Sequence, residues 1–276
     1  MSDALPPADG DEGAYRRLVA RITTDGGFAC ASYRDGCVRR RVAVRMRATR
    51  TLSYAAYDAY LAAHADEWPR LLDALTINVT QFYRNPEVFH ALATRIIPRL
   101  WESQTPVRVW SAGCATGEEA WTLALLVHAH ATAMGANGAG VAPGILATDL
   151  DPIALRTAVR GVYAASALRD LPAALRHAYV PGDPPTVAAV LRPLVVFAQH
   201  DLHAAQAPAS GLSMIVCRNV LMYFERAAQE AILQRFHAAL APGGLLLVGK
   251  SEALLGDARR WFAPEDPAVR LFRRRP

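Results

Sequence analysis

Val107-Arg-Val-Trp-Ser-Ala-Gly-Cys-Ala-Thr-Gly-Glu-Glu-Ala-Trp121 is the stretch that decides the fold. Val107, Val109 and Trp110 form a short, β-prone apolar run, and only small residues fill 111–117. Glu118-Glu119 then open a segment with apolar positions at Trp121, Leu123, Ala124, Leu125 and Val127. A strand, a small-residue turn and an acid-opened helix form the unit that sets a ligand against backbone N–H groups. Gly113 and Gly117 allow a tight turn and leave a ligand room to approach the main chain. The spacing is not that of a G-x-G-x-x-G fingerprint, and two carboxylates at a helix start repel a phosphate. The turn therefore suits a ligand that carries positive charge.

The same alternation continues downstream. Gly144–Pro152 reads as a second buried strand ending in acids. Asp149 stands where an open α/β sheet places an acceptor for ribose hydroxyls, with a simple helix cap as its alternative role. Asp151, just before Pro152, reads as the cap of a helix over 153–159. Val195–Leu202 and Leu212–Phe224 give two more strands, with Asp201 and then Arg218-Asn219 at their ends. Glu225–Leu240 is an amphipathic helix, Pro242-Gly-Gly244 stops it, and Leu245–Val248 and Ala268–Phe272 complete the strands. Residues 176–195 are turn-rich and predict a small β excursion outside the sheet. A ligand with a sulfonium, an amino group and a ribose matches this set of acceptors, and S-adenosylmethionine (SAM) is such a ligand.

Working outward to the N-terminus, helical spacing runs through Tyr15–Ile22, Cys37–Arg50, Ser53–Leu61 and Glu67–Leu75. These predict an all-α domain at 14–85, preceded by an acidic, proline-containing lead at 1–13 that reads as disordered. Leu75–Phe89 concentrates Asn78, Thr80 and Arg84 among apolar residues, which a plain helix would not need, and Asn85-Pro86 starts a new helix. The α/β domain that holds the strands above then spans 86–276.

Charge is uneven along the chain. Ten arginines face only Asp25 and Asp35 in residues 15–50, a local excess of eight positive charges, although the whole chain is only +5. On the helix over 37–50, Val38, Val42 and Met46 recur every four residues and leave Arg39, Arg40, Arg45, Arg47 and Arg50 largely outside. That face is either solvated or a dock for an acidic partner. The four cysteines have no C-x-x-C spacing, so neither a zinc site nor a disulfide framework is suggested. No apolar run is long enough to span a bilayer and no signal pattern opens the chain, so a cytoplasmic protein without membrane insertion is expected.

Five segments together carry a resemblance: Leu75-Thr-Ile-Asn-Val-Thr-Gln-Phe-Tyr-Arg84, Trp110–Glu119, Ala147-Thr-Asp-Leu-Asp151, Cys217-Arg-Asn-Val-Leu-Met-Tyr-Phe224 and Gly249-Lys-Ser-Glu252. In this order they resemble the CheR family of protein-glutamate O-methyltransferases, which modify chemotaxis receptors. The resemblance implies an α/β protein: a class I (Rossmann-like) SAM-dependent methyltransferase sheet with an N-terminal all-α domain and a small β subdomain, here 176–195. It implies that Asn78, Thr80 and Arg84 reach the cofactor from the linker, with Glu118 or Glu119 near its methionine end and Asp149 at its ribose. Asp201 and Leu202 are then near the adenine, and Arg218 and Asn219 line the pocket. Arg84 and Tyr223 face the methyl group and the substrate carboxylate. The family often has Asn where this chain has Asp201, Pro-Tyr where it has Ala120-Trp121, and an acid where it has Ser213.

The expected reaction is methyl transfer from SAM to glutamates on the cytoplasmic helices of a chemoreceptor, leaving S-adenosylhomocysteine. A glutamate is already ionised at neutral pH, so the reaction needs alignment rather than a general base. Two alternatives use the same features: a nucleic-acid methyltransferase exploiting the basic segment, and a SAM-binding regulatory protein. No amine-methylating Asn/Asp-Pro-Pro-Tyr-like motif and no Pro-Cys nucleophile supports the first, so no nucleic-acid partner is expected. A monomer is the expected state.

Overall fold

The computed structural model describes residues 12–76, 78–103, 107–135 and 144–276. The chain divides into two compact units, residues 1–77 with 223–228, and 78–222 with 229–276.

The first unit is built from helices α1 (Glu12–Gly26), α2 (Asp35–Thr49), α3 (Tyr54–Ala63) and α4 (Glu67–Leu75). Leu18, Ile22, Val38, Val42, Met46, Tyr57, Leu61 and Leu71 form its interior, so the four-residue spacing on α2 marks the buried face as expected. Ser53 caps α3 by accepting the Ala56 N–H at 3.1 Å. Glu67 is 1% exposed and takes a bidentate pair from Arg45 at 2.8 and 2.8 Å and the Tyr57 hydroxyl at 2.9 Å. Arg39 lies 3.7 Å over the Tyr15 ring and bonds Asp35 and Glu12. Two of the arginines read as outward-facing are therefore engaged inside the unit, while Arg40, Arg47 and Arg50 are exposed. Residues 1–11 of the expected lead lie outside the described residues, and Glu12 and Gly13 are already helical.

The second unit opens with α5 (Pro86–Ala91) and α6 (Ile97–Ser103), followed by β1 (Val109–Ala112), α7 (Glu118–Ala133), β2 (Ile145–Asp149), α8 (Pro152–Arg160) and α9 (Ala173–Tyr179). Then come β3 (Val195–Gln199), β4 (Leu212–Cys217), α10 (Arg226–Ala239, whose first turn belongs to the helical unit), β5 (Leu240–Val248), α11 (Ala258–Trp261), β6 (Phe262–Asp266) and β7 (Leu271–Arg274). The seven strands lie in the order β3-β2-β1-β4-β5-β7-β6, parallel from β3 to β5, with β7 antiparallel to both its neighbours. Every residue of β1 and β4 is buried, the pattern of strands covered on both faces. The chain builds outward from β1 in one direction through β2 and β3, then restarts at β4 on its other side. The carboxyl ends of β1 and β4 thus form the topological switch point, where open α/β sheets bind ligands.

Several sequence expectations shift. The division falls at 77/78 rather than 85, because 78–85 packs on the sheet unit: Phe82 is fully buried against Tyr163, and its N–H donates to the Ala167 carbonyl. Among the described residues, 176–194 holds no strand, and Val195 already opens β3 of the main sheet. The stretch contains the end of α9, a proline-rich turn, one bridge between Val162 and Thr186, and a 3-10 helix at Ala189–Leu194. Pro181, Pro184 and Pro185 have no N–H for a ladder, so the anticipated β subdomain reduces to that bridge. β6, not foreseen, contains Pro264 and sits at the sheet edge, where a missing donor is tolerated. β7 begins at Leu271 rather than 268, because Asp266 caps a 3-10 turn over Pro267–Val269. Most of the Gly/Ala loop, 136–143, lies outside the described residues.

Candidate cofactor site at the carboxyl ends of β1, β2 and β4

The turn after β1 is pinned to β2: the N–H groups of Gly113 and Cys114 both donate to the Thr148 carbonyl, at 2.8 and 2.9 Å. Both glycines are required, though by protein contacts rather than by a ligand. Gly113 has φ +79°, and a Cβ there would lie 2.7 Å from Val220 Cγ2. Gly117 has φ +93°, and a Cβ would lie 2.6 Å from Ala158 Cβ. The small residues bring α7 and α8 close at the sheet end.

Asp149 closes this turn. Its Oδ2 accepts the Ala115 N–H at 2.7 Å and its Oδ1 the Asp151 N–H at 2.9 Å. With the Leu150 N–H also directed at it, the carboxylate keeps one acceptor position for a further donor. Burial pushes its carboxyl above the ordinary range, and the N–H groups of Asp151, Ala115 and Leu150 pull it back. Asp151 caps α8 through the Ile153 N–H at 2.7 Å, as the sequence indicated, and its other oxygen accepts from Asn78 Nδ2 at 2.7 Å. That bond fixes Asn78 beside the β2 end. Thr80, two residues on, is half-buried in the same extended stretch.

The two acids of α7 have different tasks. Glu119 accepts from Ser111 Oγ at 2.8 Å and pairs with Arg218 Nη1 at 3.3 Å, with the Arg218 side chain only 2% exposed. Glu118 is bonded by the Thr116 hydroxyl at 2.6 Å, and burial raises its carboxyl. Glu119 is thus neutralised within the protein, whereas no cation pairs with Glu118 among the described residues.

Arg218 is an internal clamp. Besides Glu119, its Nη2 donates to the Arg84 carbonyl and to Asn85 Oδ1, each at 2.8 Å, and its guanidinium stacks 5.1 Å from the Phe89 ring. Asn85 stands before Pro86 as expected, yet its side chain serves Arg218 and makes no cap bond. Tyr83 and Asn85 both have positive φ, +59° and +65°, so Arg84 is presented from a strained tripeptide that the clamp and a Tyr83 N–H bond to Thr122 Oγ1 hold in place. Arg84 Nη1 donates to the Val79 carbonyl at 2.7 Å.

Asn219, at the end of β4, has φ +59°, and its buried Oδ1 has no hydrogen-bond partner among the described residues. Asp201 turns its Oδ1 onto the N–H and ring of His203, which hold its carboxyl below the usual range, and the Leu202 carbonyl accepts from Arg235 at 2.6 Å. Tyr223 belongs to the helical unit, where its carbonyl accepts the Arg34 N–H at 2.9 Å. Glu252, Ser111, Thr116 and Thr122 all shape these contacts and were not singled out from the sequence. Glu252, Ser111 and Thr116 lay within quoted motifs, whereas Thr122 sits in a helix where a hydroxyl leaves no sequence signal.

Comparison with known proteins gives the site its context. Residues 13–76 match the all-alpha domain of CheR methyltransferases, and residues 78–269 match their SAM-binding domain. The chain belongs to the CheR methyltransferase family. It is 32% identical to a chemotaxis protein methyltransferase of Listeria monocytogenes, over 92% of this chain and 94% of that one. The corresponding Salmonella typhimurium protein is 34% identical over 86% and 83%. An uncharacterized 104.1 kDa protein of Rhodobacter capsulatus is 35% identical over 92% of this chain, which spans 26% of that longer protein. As a CheR-family protein it is a SAM-dependent methyltransferase, and its residues fit the cofactor. Glu118 without a paired cation, the remaining acceptor position of Asp149 and the Asn219 Oδ1 without a partner among the described residues are all acceptors, the complement of a sulfonium, an ammonium and a ribose.

Proposed function

We propose that this protein methylates glutamate side chains on the cytoplasmic helices of chemoreceptors. One observation carries the assignment within the family: the switch point holds acceptors for a cationic donor beside a strained loop that carries an arginine. Bound SAM supplies an activated methyl on its sulfonium. Glu118 neutralises the ammonium of its methionine portion, Asp149 binds the ribose, and Asn78 and Thr80 border the pocket. Glu119 and Arg218 hold the geometry by pairing with each other.

Arg84 is proposed to receive the acceptor carboxylate. Among the described residues its side chain bonds one carbonyl, that of Val79, which a carboxylate replaces with a charge-assisted pair. Tyr223 is assigned the same task from the family motif. No residue is needed as general base, since the acceptor is ionised at neutral pH. Exposed Arg40, Arg47 and Arg50 give the helical unit a basic face that attracts an acidic receptor helix. Among the described residues no helix is long and apolar enough to cross a membrane.

Incubation with methyl-labelled SAM and receptor-containing membranes is expected to yield base-labile methyl esters on the receptor. A protein that binds S-adenosylhomocysteine yet labels no receptor glutamate would remove the glutamate assignment.

A further inference from the structure

The motif Gly249-Lys-Ser-Glu252 has no part in the chemistry above, yet its geometry points straight at it. Glu252 is 5% exposed, and its carboxylate gathers three backbone donors: Oε2 accepts from Gly249 at 2.6 Å and Asn219 at 2.9 Å, and Oε1 from Met222 at 3.2 Å. Charge-assisted bonds of this kind are about twice as strong as neutral ones. Together they lock the turn after β4 and offset the cost of the left-handed conformation at Asn219. Gly249 lies against the same residue. A Cβ there would sit 2.7 Å from Asn219 N, 2.7 Å from Glu252 Oε2 and 2.9 Å from Asn219 Nδ2. Glycine is needed here for space, since its φ lies outside the left-handed range.

We infer that Gly249 and Glu252 are positioning residues for the cofactor: they hold Asn219 in a left-handed turn so that its unpaired amide oxygen accepts a donor group of SAM. The inference rests on the reading that Asn219 lines the cofactor site. It adds that this contact is built from the far end of β5, by a carboxylate that never touches the ligand.

Calorimetry with S-adenosylhomocysteine on the full chain separates the two claims. Asn219→Gly keeps the left-handed backbone but removes the amide, and it is expected to weaken binding about tenfold. Unchanged affinity would take Asn219 out of the site and end both claims. Glu252→Gln keeps the shape but turns an NH2 group toward one of the three donors. It is expected to weaken binding about tenfold while the ligand-free protein still melts well above the assay temperature. In the Asn219→Gly background the same change is expected to add less than about twofold, because its effect runs through the amide. Gly249→Ala, which alters no charge, is expected to give the same loss and the same non-additivity, and it carries the test if Glu252→Gln does not fold. Wild-type affinity in Glu252→Gln and Gly249→Ala beside a weakened Asn219→Gly, or losses that multiply in the double variants, would overturn the inference and leave Glu252 a plain loop staple.

Discussion

Replacing Arg218 with Met tests the clamp that joins the cofactor strand to the Arg84 loop. The substitution removes three hydrogen bonds, to Glu119 at 3.3 Å and to the Arg84 carbonyl and Asn85 Oδ1 at 2.8 Å each. It also leaves Glu119 buried with the Ser111 hydroxyl as its hydrogen-bond partner among the described residues and the Arg84 charge as a weaker attraction. Removing one partner of a buried ion pair costs about 3–5 kcal/mol, because the other charge stays in a low-dielectric interior without compensation. With the Arg218 side chain 2% exposed, solvent cannot relieve that cost.

The loss should depend on pH. Burial holds the Glu119 carboxyl above its ordinary range, and Arg218 pulls it down, so the variant raises it further. An acid whose folded pKa exceeds its unfolded value of about 4.3 favours the fold fully below that value, and the advantage disappears as pH rises through the folded pKa. The penalty of Arg218→Met should therefore be largest near neutral pH and shrink on acidification toward the ordinary carboxylate range. Urea unfolding followed by tryptophan fluorescence across this pH interval measures both effects, and the Arg218→Met/Glu119→Gln double variant should recover most of the loss. A penalty below about 1 kcal/mol at neutral pH, or one independent of pH, would refute a charged pair at this site.

Glu118→Gln should weaken S-adenosylhomocysteine binding and flatten its pH dependence. In the unaltered protein, affinity should climb with pH as the raised Glu118 carboxyl ionises, and a calorimetric pH series checks the slope. Gly117→Ala should destabilise by about 2–4 kcal/mol through left-handed strain and the clash with Ala158, whereas Gly135→Ala, at φ +78° with nothing within 4 Å among the described residues, should cost only about 1 kcal/mol in the same unfolding assay. Arg45→Met should cost about 3 kcal/mol of stability by stranding buried Glu67. Charge reversal at Arg40 and Arg47 should leave stability and cofactor affinity near wild type and lower receptor methylation several-fold, more so at low salt.

The chain by itself determined the α/β class, the strand-turn-helix at 107–121, the cap at Asp151 and the place of Asp149. Each follows from periodicity or from a cap, which are local and written in neighbouring residues. It also marked Glu118 and Glu119 as a pair without dividing their labour. That division needed the third dimension, because Arg218 lies ninety-nine positions from Glu119 and reaches it only once β1 and β4 are adjacent. The same holds for Asn85, whose side chain leaves the helix it precedes to meet Arg218, and for Glu252, which meets Asn219 across the ends of β4 and β5. The proline-rich stretch at 176–195 misled in the opposite sense, since turn residues announce a reversal but not whether strands flank it. Spacing along a sequence records which way a side chain faces; only the packing of distant strands decides which buried charge meets which partner.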